Sequence, residues 1–142
     1  MAVSSSTQVQ SKPVASLPRA KNIILMIGDG MGTSQVYAAM TANGGWLHLE
    51  QCTHVGFSKT NAFDAYITDS GAGATAFAIG RKTYNGAIGV DPAGQAQATI
   101  LETAHRQELA TGLVATCSIT HATPASFIAH QLSRTMEEEI AA

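Results

Sequence analysis

The sequence predicts an α/β fold built around a mainly parallel sheet, and three observations carry that prediction. Short apolar runs of the kind that a strand buried on both faces requires occur at residues 22–27 (NIILMI) and 113–119 (LVATCSI). Segments with helical signals alternate with the strand-like ones, as they do when parallel strands cross over through helices. Asp29, Ser70 and His121 each follow a strand-like segment, at the end where open α/β sheets gather their sites.

Taken in order, residues 22–27 run into Gly28, Gly30 and Gly32, a tight loop after which Thr33 or Ser34 can cap a helix over residues 35–42, closed by Asn43, Gly44 and Gly45. Residues 54–59 (HVGFSK) alternate apolar with polar side chains and read as a second strand, while residues 61–66 are irregular. The run SGAGATAFAIG is rich in alanine and other small residues, which predicts a helix that starts at Ser70 or Gly71 and closes at Gly80. Asn85-Gly86 is a hairpin signal and Asp91-Pro92-Ala93-Gly94 a turn, so KTYNGAIGVDPAG reads as a surface excursion without chemistry. Residues 99–109 have apolar spacing suited to a helix, and residues 113–119 form the next strand. Thr123-Pro124 then starts a helix, with Thr as cap and Pro at the first position, that runs through Ile128 and Leu132 toward Met136.

A chain of 142 residues with 45% hydrophobic content can bury a core. Its 8 basic and 10 acidic side chains give a formal charge of -2, which marks no electrostatic footprint for nucleic acid or an anionic membrane surface. Cys52 and Cys117 stand far apart without CxxC spacing, and no disulfide or thiolate site can be read from them. Residues 1–20 are polar and rich in Ser, Gln and Pro, and read as a disordered leader without the apolar run of about 7–15 residues that a secretory signal needs. No apolar stretch approaches the roughly 20 residues needed to cross a bilayer.

Three motifs carry chemistry. Thr68-Asp69-Ser70-Gly71-Ala72-Gly73-Ala74-Thr75 sets a serine at a helix N-terminus, where free N–H groups and the helix dipole stabilise an alkoxide and attract phosphate. The same pair, taken alone, reads as an ordinary N-cap. Gly28-Asp29-Gly30-Met31-Gly32 presents a carboxylate between glycines. It is not a dinucleotide fingerprint, since G-x-G-x-x-G would need glycine where Thr33 stands, and its plain reading is a tight turn. His121-Ala122-Thr123-Pro124-Ala125 is followed by Arg134, expected on the far turns of the helix that starts at Thr123. Its planar fork suits bidentate contact with phosphate oxygens, although an isolated arginine is more often solvated. His48, His54, His105 and His130 lack a partner at ligand spacing and read as structural; Trp46 and Phe57 read as core anchors, and residues 137–139 as a solvated helical face.

These three motifs, in this order over residues 21–134, resemble the alkaline phosphatase family, and KTYNGAIGV is similar to the corresponding stretch of its bacterial members. The resemblance implies a three-layer α/β/α sandwich with a mainly parallel central sheet, incomplete in this chain, residues 21–142 being the N-terminal part of the catalytic domain. It implies hydrolysis of phosphate monoesters through a phosphoserine on Ser70, with Arg134 clamping the phosphate and Asp69 holding Arg134. It also implies two Zn2+ and one Mg2+ per complete subunit. Asp29 would bridge two metal sites, Ser70 would meet a zinc, and His121 and Thr123 would belong to the third site, with the other ligands in the C-terminal half. Some members carry aspartate in place of His121; because imidazole suits zinc or cobalt and magnesium prefers oxygen, the third metal's identity stays open. The relatives are mostly exported homodimers, periplasmic or extracellular. Two alternatives stand beside this reading. One is a superfamily metallohydrolase such as a phosphodiesterase, sulfatase or phosphomutase, against which Asp69-Ser70-Gly71 argues; the other is a non-catalytic module that retains the fold. The sequence ends at residues 137–142 inside what reads as a helix with no stop signal, so it is expected to be a fragment, inactive by itself.

Overall fold

Residues 20–142 are described by the computed structural model. In chain order they form α1 Thr33–Ala42, a short 3-10 helix His48–Gln51, α2 Ser70–Ile79, α3 Ile100–Arg106, α4 Ala122–Ala125 and α5 Glu137–Ala141. The leader expected over residues 1–20 lies, except for Ala20, outside the described residues.

Local chemistry sets the helix starts. Asp69 caps α2 by accepting from the N–H of Ala72 at 2.9 Å, one of the donors that a helix start leaves without an internal partner. Gly80 closes the helix, as expected. Thr99 and Glu102 cap α3 reciprocally: the N–H of Glu102 donates to the Thr99 hydroxyl at 3.1 Å, and the N–H of Thr99 to the Glu102 carboxylate at 2.8 Å. At α1 the cap residue is Gly32 rather than Thr33 or Ser34, because the Gln35 side chain reaches back to accept from the Gly32 N–H at 3.0 Å.

Small side chains make the packing close. Helix α2 buries Gly71, Ala72, Ala74, Thr75 and Ala78, and α4 packs on that face. One apolar cluster joins Ala74 and Ala78 to Phe127, with Ile79, Leu101 and Leu113 at its edge; a second joins Ile88, Ala122, Ala125 and Ile140. The buried Thr75 hydroxyl stitches three segments together. It accepts from the N–H of Gly89 at 3.0 Å and lies 3.1 Å from both the Ala87 carbonyl and the Ser126 hydroxyl. No helix among the described residues is long and apolar enough to cross a membrane.

Three sequence expectations are corrected here, and the expected strands are not formed among the described residues. The strands expected at residues 22–27, 54–59 and 113–119 form no ladder; among the described residues the only β pairing is two isolated antiparallel bridges, Ile88 with Gln131 and Val90 with Ala96. A strand exists through its lateral neighbours, and these three runs have none among the described residues, where Ile23, Val55 and Val114 stand exposed. Trp46 and Phe57 are likewise exposed rather than core anchors, with no layer packed over them. The segment read as a surface excursion is instead largely a core element: Thr83, Ala87, Ile88 and Val90 are buried, while the Asn85-Gly86 and Asp91–Gly94 turns form as expected, the Gly94 N–H donating to the Asp91 carbonyl at 2.9 Å. The long helix expected from Thr123 toward Met136 ends at Ala125, and its cap residue is His121. The chain leaves the helix because Gln131 pairs with Ile88 through bonds of 2.9 and 3.0 Å and the His130 ring meets the Gly89 carbonyl at 2.7 Å.

Candidate active site

That last correction assembles the site. On a continuous helix Arg134 would sit about 16 Å along the axis from Thr123 at 1.5 Å per residue. Instead the chain folds back, the N–H of Arg134 donates to the Gly86 carbonyl at 2.7 Å, and its guanidinium reaches the start of α2. Its Nη1 donates to the Ser70 hydroxyl at 2.8 Å and to the Asp69 carboxylate at 3.1 Å, so one nitrogen holds both members of the Asp-Ser pair. Its Nη2 lies 3.3 Å from Nε2 of His121, a contact that asks the imidazole nitrogen to accept.

Asp69 organises this end of α2. Its Oδ1 caps the helix, and its Oδ2 accepts from both the Gly86 N–H at 3.1 Å and Arg134. Partial burial by itself would push the Asp69 carboxyl up; the N–H donors of Ala72 and Gly86 and the Arg134 guanidinium outweigh it and hold the group below its ordinary value. Asp69 is therefore an acceptor at neutral pH, which keeps Arg134 in place.

Asp29 and Thr123, 94 positions apart in sequence, meet through a 3.0 Å bond from the threonine hydroxyl to the carboxylate. Thr123 sits two residues after His121, so α4 links this pair to the Ser70 group. Carboxylate and hydroxyl oxygens suit a hard dication, and an imidazole nitrogen suits zinc or a similar ion. These donors fit part of a metal shell: among the described residues no three His, Cys, Asp or Glu side chains gather at one point. A cleft of about 470 Å³ opens beside the site, lined by His121, Arg134, Thr135 and residues 137–139 of α5, which are solvated as expected.

The structure thus brings Ser70, Asp69, Arg134 and His121 together, and Asp29 to Thr123. Sequence reasoning missed Asn85 and Gly86, which lie against Asp69. The Asn-Gly signal identified a turn but not what the turn would touch. His130 also has a partner that was not foreseen: its Nε2 is 2.8 Å from Glu102, tying α3 to the loop at Gly89.

A planar cation directed at a hydroxyl on the first residue of a helix has the chemistry to hold an oxyanion. Residues 20–142 match the family model described as Alkaline phosphatase, and the chain belongs to that family. It is 46% identical over 125 residues to the alkaline phosphatase of Escherichia coli (strain K12), covering 81% of this chain and 26% of that protein. The solved alkaline phosphatase from the Antarctic bacterium TAB5 is 49% identical, with a TM-score of 0.77 over 80% of this chain and 33% of its own. A TAB5 variant with histidine replaced by aspartate, 48% identical and with the same TM-score of 0.77 over the same 80% and 33% of the two chains, is described with Mg bound in the M3 site. These neighbours have the α/β fold that the sequence order predicted. The chain spans about a quarter of the length of the curated relatives it matches.

Proposed function

We propose that this chain supplies the nucleophile and the phosphate-clamping arginine of a metal-dependent phosphomonoesterase that works through a phosphoserine on Ser70. The observation that carries the reading is the single Arg134 nitrogen shared by the Ser70 hydroxyl and the Asp69 carboxylate at the start of α2. Ser70 Oγ attacks phosphorus, an O–P bond forms as the P–O bond to the leaving alcohol breaks, and the serine proton is passed through solvent to the departing oxygen. Water then attacks the phosphoserine, releasing inorganic phosphate and restoring the hydroxyl. Arg134, held by Asp69, orients and neutralises two phosphate oxygens, while the small residues of α2 leave room for the phosphoryl group.

Asp29 and Thr123 are the oxygen donors and His121 the nitrogen donor toward metal, with Ser70 as the reacting ligand; two Zn2+ and one Mg2+ belong to the complete subunit. Bound divalent ions would lower the pKa of the attacking hydroxyl and stabilise the charge that develops on the entering and leaving oxygens. The remaining ligands, the rest of a three-layer sandwich with a parallel sheet, and a homodimer belong to the complete protein. The 26% share of the Escherichia coli enzyme's length supports that division.

Acid quench of the complete, metal-loaded protein during turnover of an aryl phosphate tests the reading. Intact mass and peptide mapping should place a phosphate on Ser70, and Ser70→Ala should lower turnover by about 10³-fold or more. Parental turnover in Ser70→Ala would sink it. His121→Asp should make activity more dependent on magnesium, because a carboxylate oxygen suits that ion better than an imidazole nitrogen; an unchanged magnesium titration would remove His121 from the site.

A further inference from the structure

We propose that Asn85 is a positioning residue for the Ser70 nucleophile, clamping the backbone that leads into α2. Its carboxamide spans the residues before the helix. Oδ1 accepts from the Asp69 N–H at 2.8 Å, and Nδ2 donates to the Ile67 carbonyl at 2.9 Å. One side chain thereby makes the two bonds that a neighbouring strand would make to alternate residues of an extended segment. Residues 67–69 have no strand neighbour among the described residues, so this amide stands in for one.

The clamp is itself held. The N–H of Asn85 donates to the Asp64 carboxylate at 3.1 Å, and the turn closes through Ala87 N–H to the Tyr84 carbonyl at 3.2 Å. Gly86 adopts φ +89, a backbone conformation that side chains rarely take, and this aims its N–H at Asp69 while its carbonyl takes the N–H of Arg134. The turn also presses on the helix: a Cβ at Gly71 would lie 3.1 Å from the Ala87 carbonyl. A two-residue tip therefore fixes the Asp69 backbone through Asn85, and the Asp69 side chain and the Arg134 backbone through Gly86. The placement of Ser70 Oγ against Arg134 depends on all three. Displacement of a nucleophile by about 1 Å can cost 10²-fold in rate, so losing the amide should slow chemistry without removing any group that touches substrate.

The proposal rests on Ser70 being the nucleophile, and the experiment separates the two. In the complete, metal-loaded protein, single-turnover phosphorylation of Ser70 by an aryl phosphate is followed by acid quench in the parent, Asn85→Ala, Ser70→Ala and Asp91→Ala. Asp91→Ala is a control: it removes three hydrogen bonds from the same loop, those from Ala93, Gln95 and Gln97, without touching Asp69 or Arg134. Asn85→Ala should slow phosphorylation about 10- to 100-fold with KM changed less than about threefold, while Asp91→Ala keeps the parental rate even if its Tm falls. If Asn85→Ala gives no cooperative melt, Asn85→Asp carries the test, since it still accepts from the Asp69 N–H but cannot donate to Ile67; it should lose fivefold or more. Phosphorylation at the parental rate in the folded Asn85 variant overturns the clamp, and so does an equal loss in Asp91→Ala. A phosphoserine that forms in Ser70→Ala at another residue overturns the parent reading instead.

Discussion

Thr83 with residues 87–90, and residues 22–27, both carry apolar side chains, yet the first group is buried and cross-linked while the second stands exposed. Thr83 to Val90 lies against α2 and α4 and exchanges hydrogen bonds with Asp69, Thr75, Gln131 and Arg134. Residues 22–27 have hydrophobicity of the right kind for a strand but no lateral partner. Hydrophobic content therefore does not decide burial; the presence of a shaped partner does, and among the described residues it is the site region that finds such partners.

Glycine substitutions should break the comparison most visibly. At Gly89 an added Cβ would collide with the Ala129 carbonyl, a backbone atom that cannot step aside, and φ is +59. Gly89→Ala should abolish the cooperative transition or cost about 3 kcal/mol or more. Gly56→Ala, where a Cβ meets nothing within 4 Å, should change the denaturant midpoint very little. Comparable midpoints for the two variants would mean that the Gly89 region is not tightly packed.

Large-to-small substitutions make the second contrast. Ile88 is fully buried, and Ile88→Ala should cost about 2–5 kcal/mol, whereas Ile23, 88% exposed, should tolerate alanine within about 0.5 kcal/mol in this chain. The same Ile23→Ala in the complete protein should cost far more if the proposed sandwich covers that run. Parity there between the chain and the complete protein would argue against a central strand at residues 22–27.

How far the sequence could be read follows the same division. Helix α2, its cap at Asp69 and its closure at Gly80 were legible because each depends on residues within a few positions. The meeting of Ser70, Asp69 and Arg134 was expected through the family resemblance, but the route was wrong. Helical continuation beyond Ala125 is a local inference, and what ended the helix was the long-range pairing of Gln131 with Ile88 and the His130 bond to Gly89. Asn85 was read as a turn residue because turn chemistry is local, whereas its contact with Asp69 crosses 16 positions.

A smaller effect comes from the Glu102–His130 pair, which is tied to the packed Gly89 loop. Partial burial lowers the His130 pKa, but the hydrogen bonds to Glu102 and the Gly89 carbonyl and the charge of Glu102 outweigh it and raise it above 6.5. Partial burial raises the Glu102 pKa, but the His130 and Thr99 hydrogen bonds, with the charges of His130 and Arg106, bring it below 4.5. The raised histidine contributes stability fully below 6.5, lost as pH rises through its folded value; the lowered carboxylate contributes above 4.5, lost as pH falls through its folded value. The pair should matter most between these limits, by no more than about 1 kcal/mol because both side chains are partly exposed to solvent. Denaturant midpoints of the parent and His130→Ala should differ most between about pH 4.5 and 6.5, and the difference should shrink as pH rises through the folded value of His130. A difference that grows toward alkaline pH would contradict the ion pair.

The smallest expected change is at Thr83, whose hydroxyl is buried and has no hydrogen-bond partner among the described residues. Thr83→Val keeps the shape and removes an unpaired polar group, so it should be neutral or slightly stabilising. A loss above about 1 kcal/mol would show that the hydroxyl is bonded after all.

The contact between Arg134 and Ser70 spans 64 positions of sequence, and on a ribosome that separation is a delay. At about 5–20 residues per second, the serine is synthesised roughly 3–13 s before the arginine that will hold it. Helix α2 and its Asp69 cap can form from local residues during that interval, with Asn85 and Gly86 following within the first few seconds. Newly made protein therefore passes through a period in which the hydroxyl is in place without its guanidinium, and the proposed grip on a phosphate can arise only once the chain has turned back at Gln131.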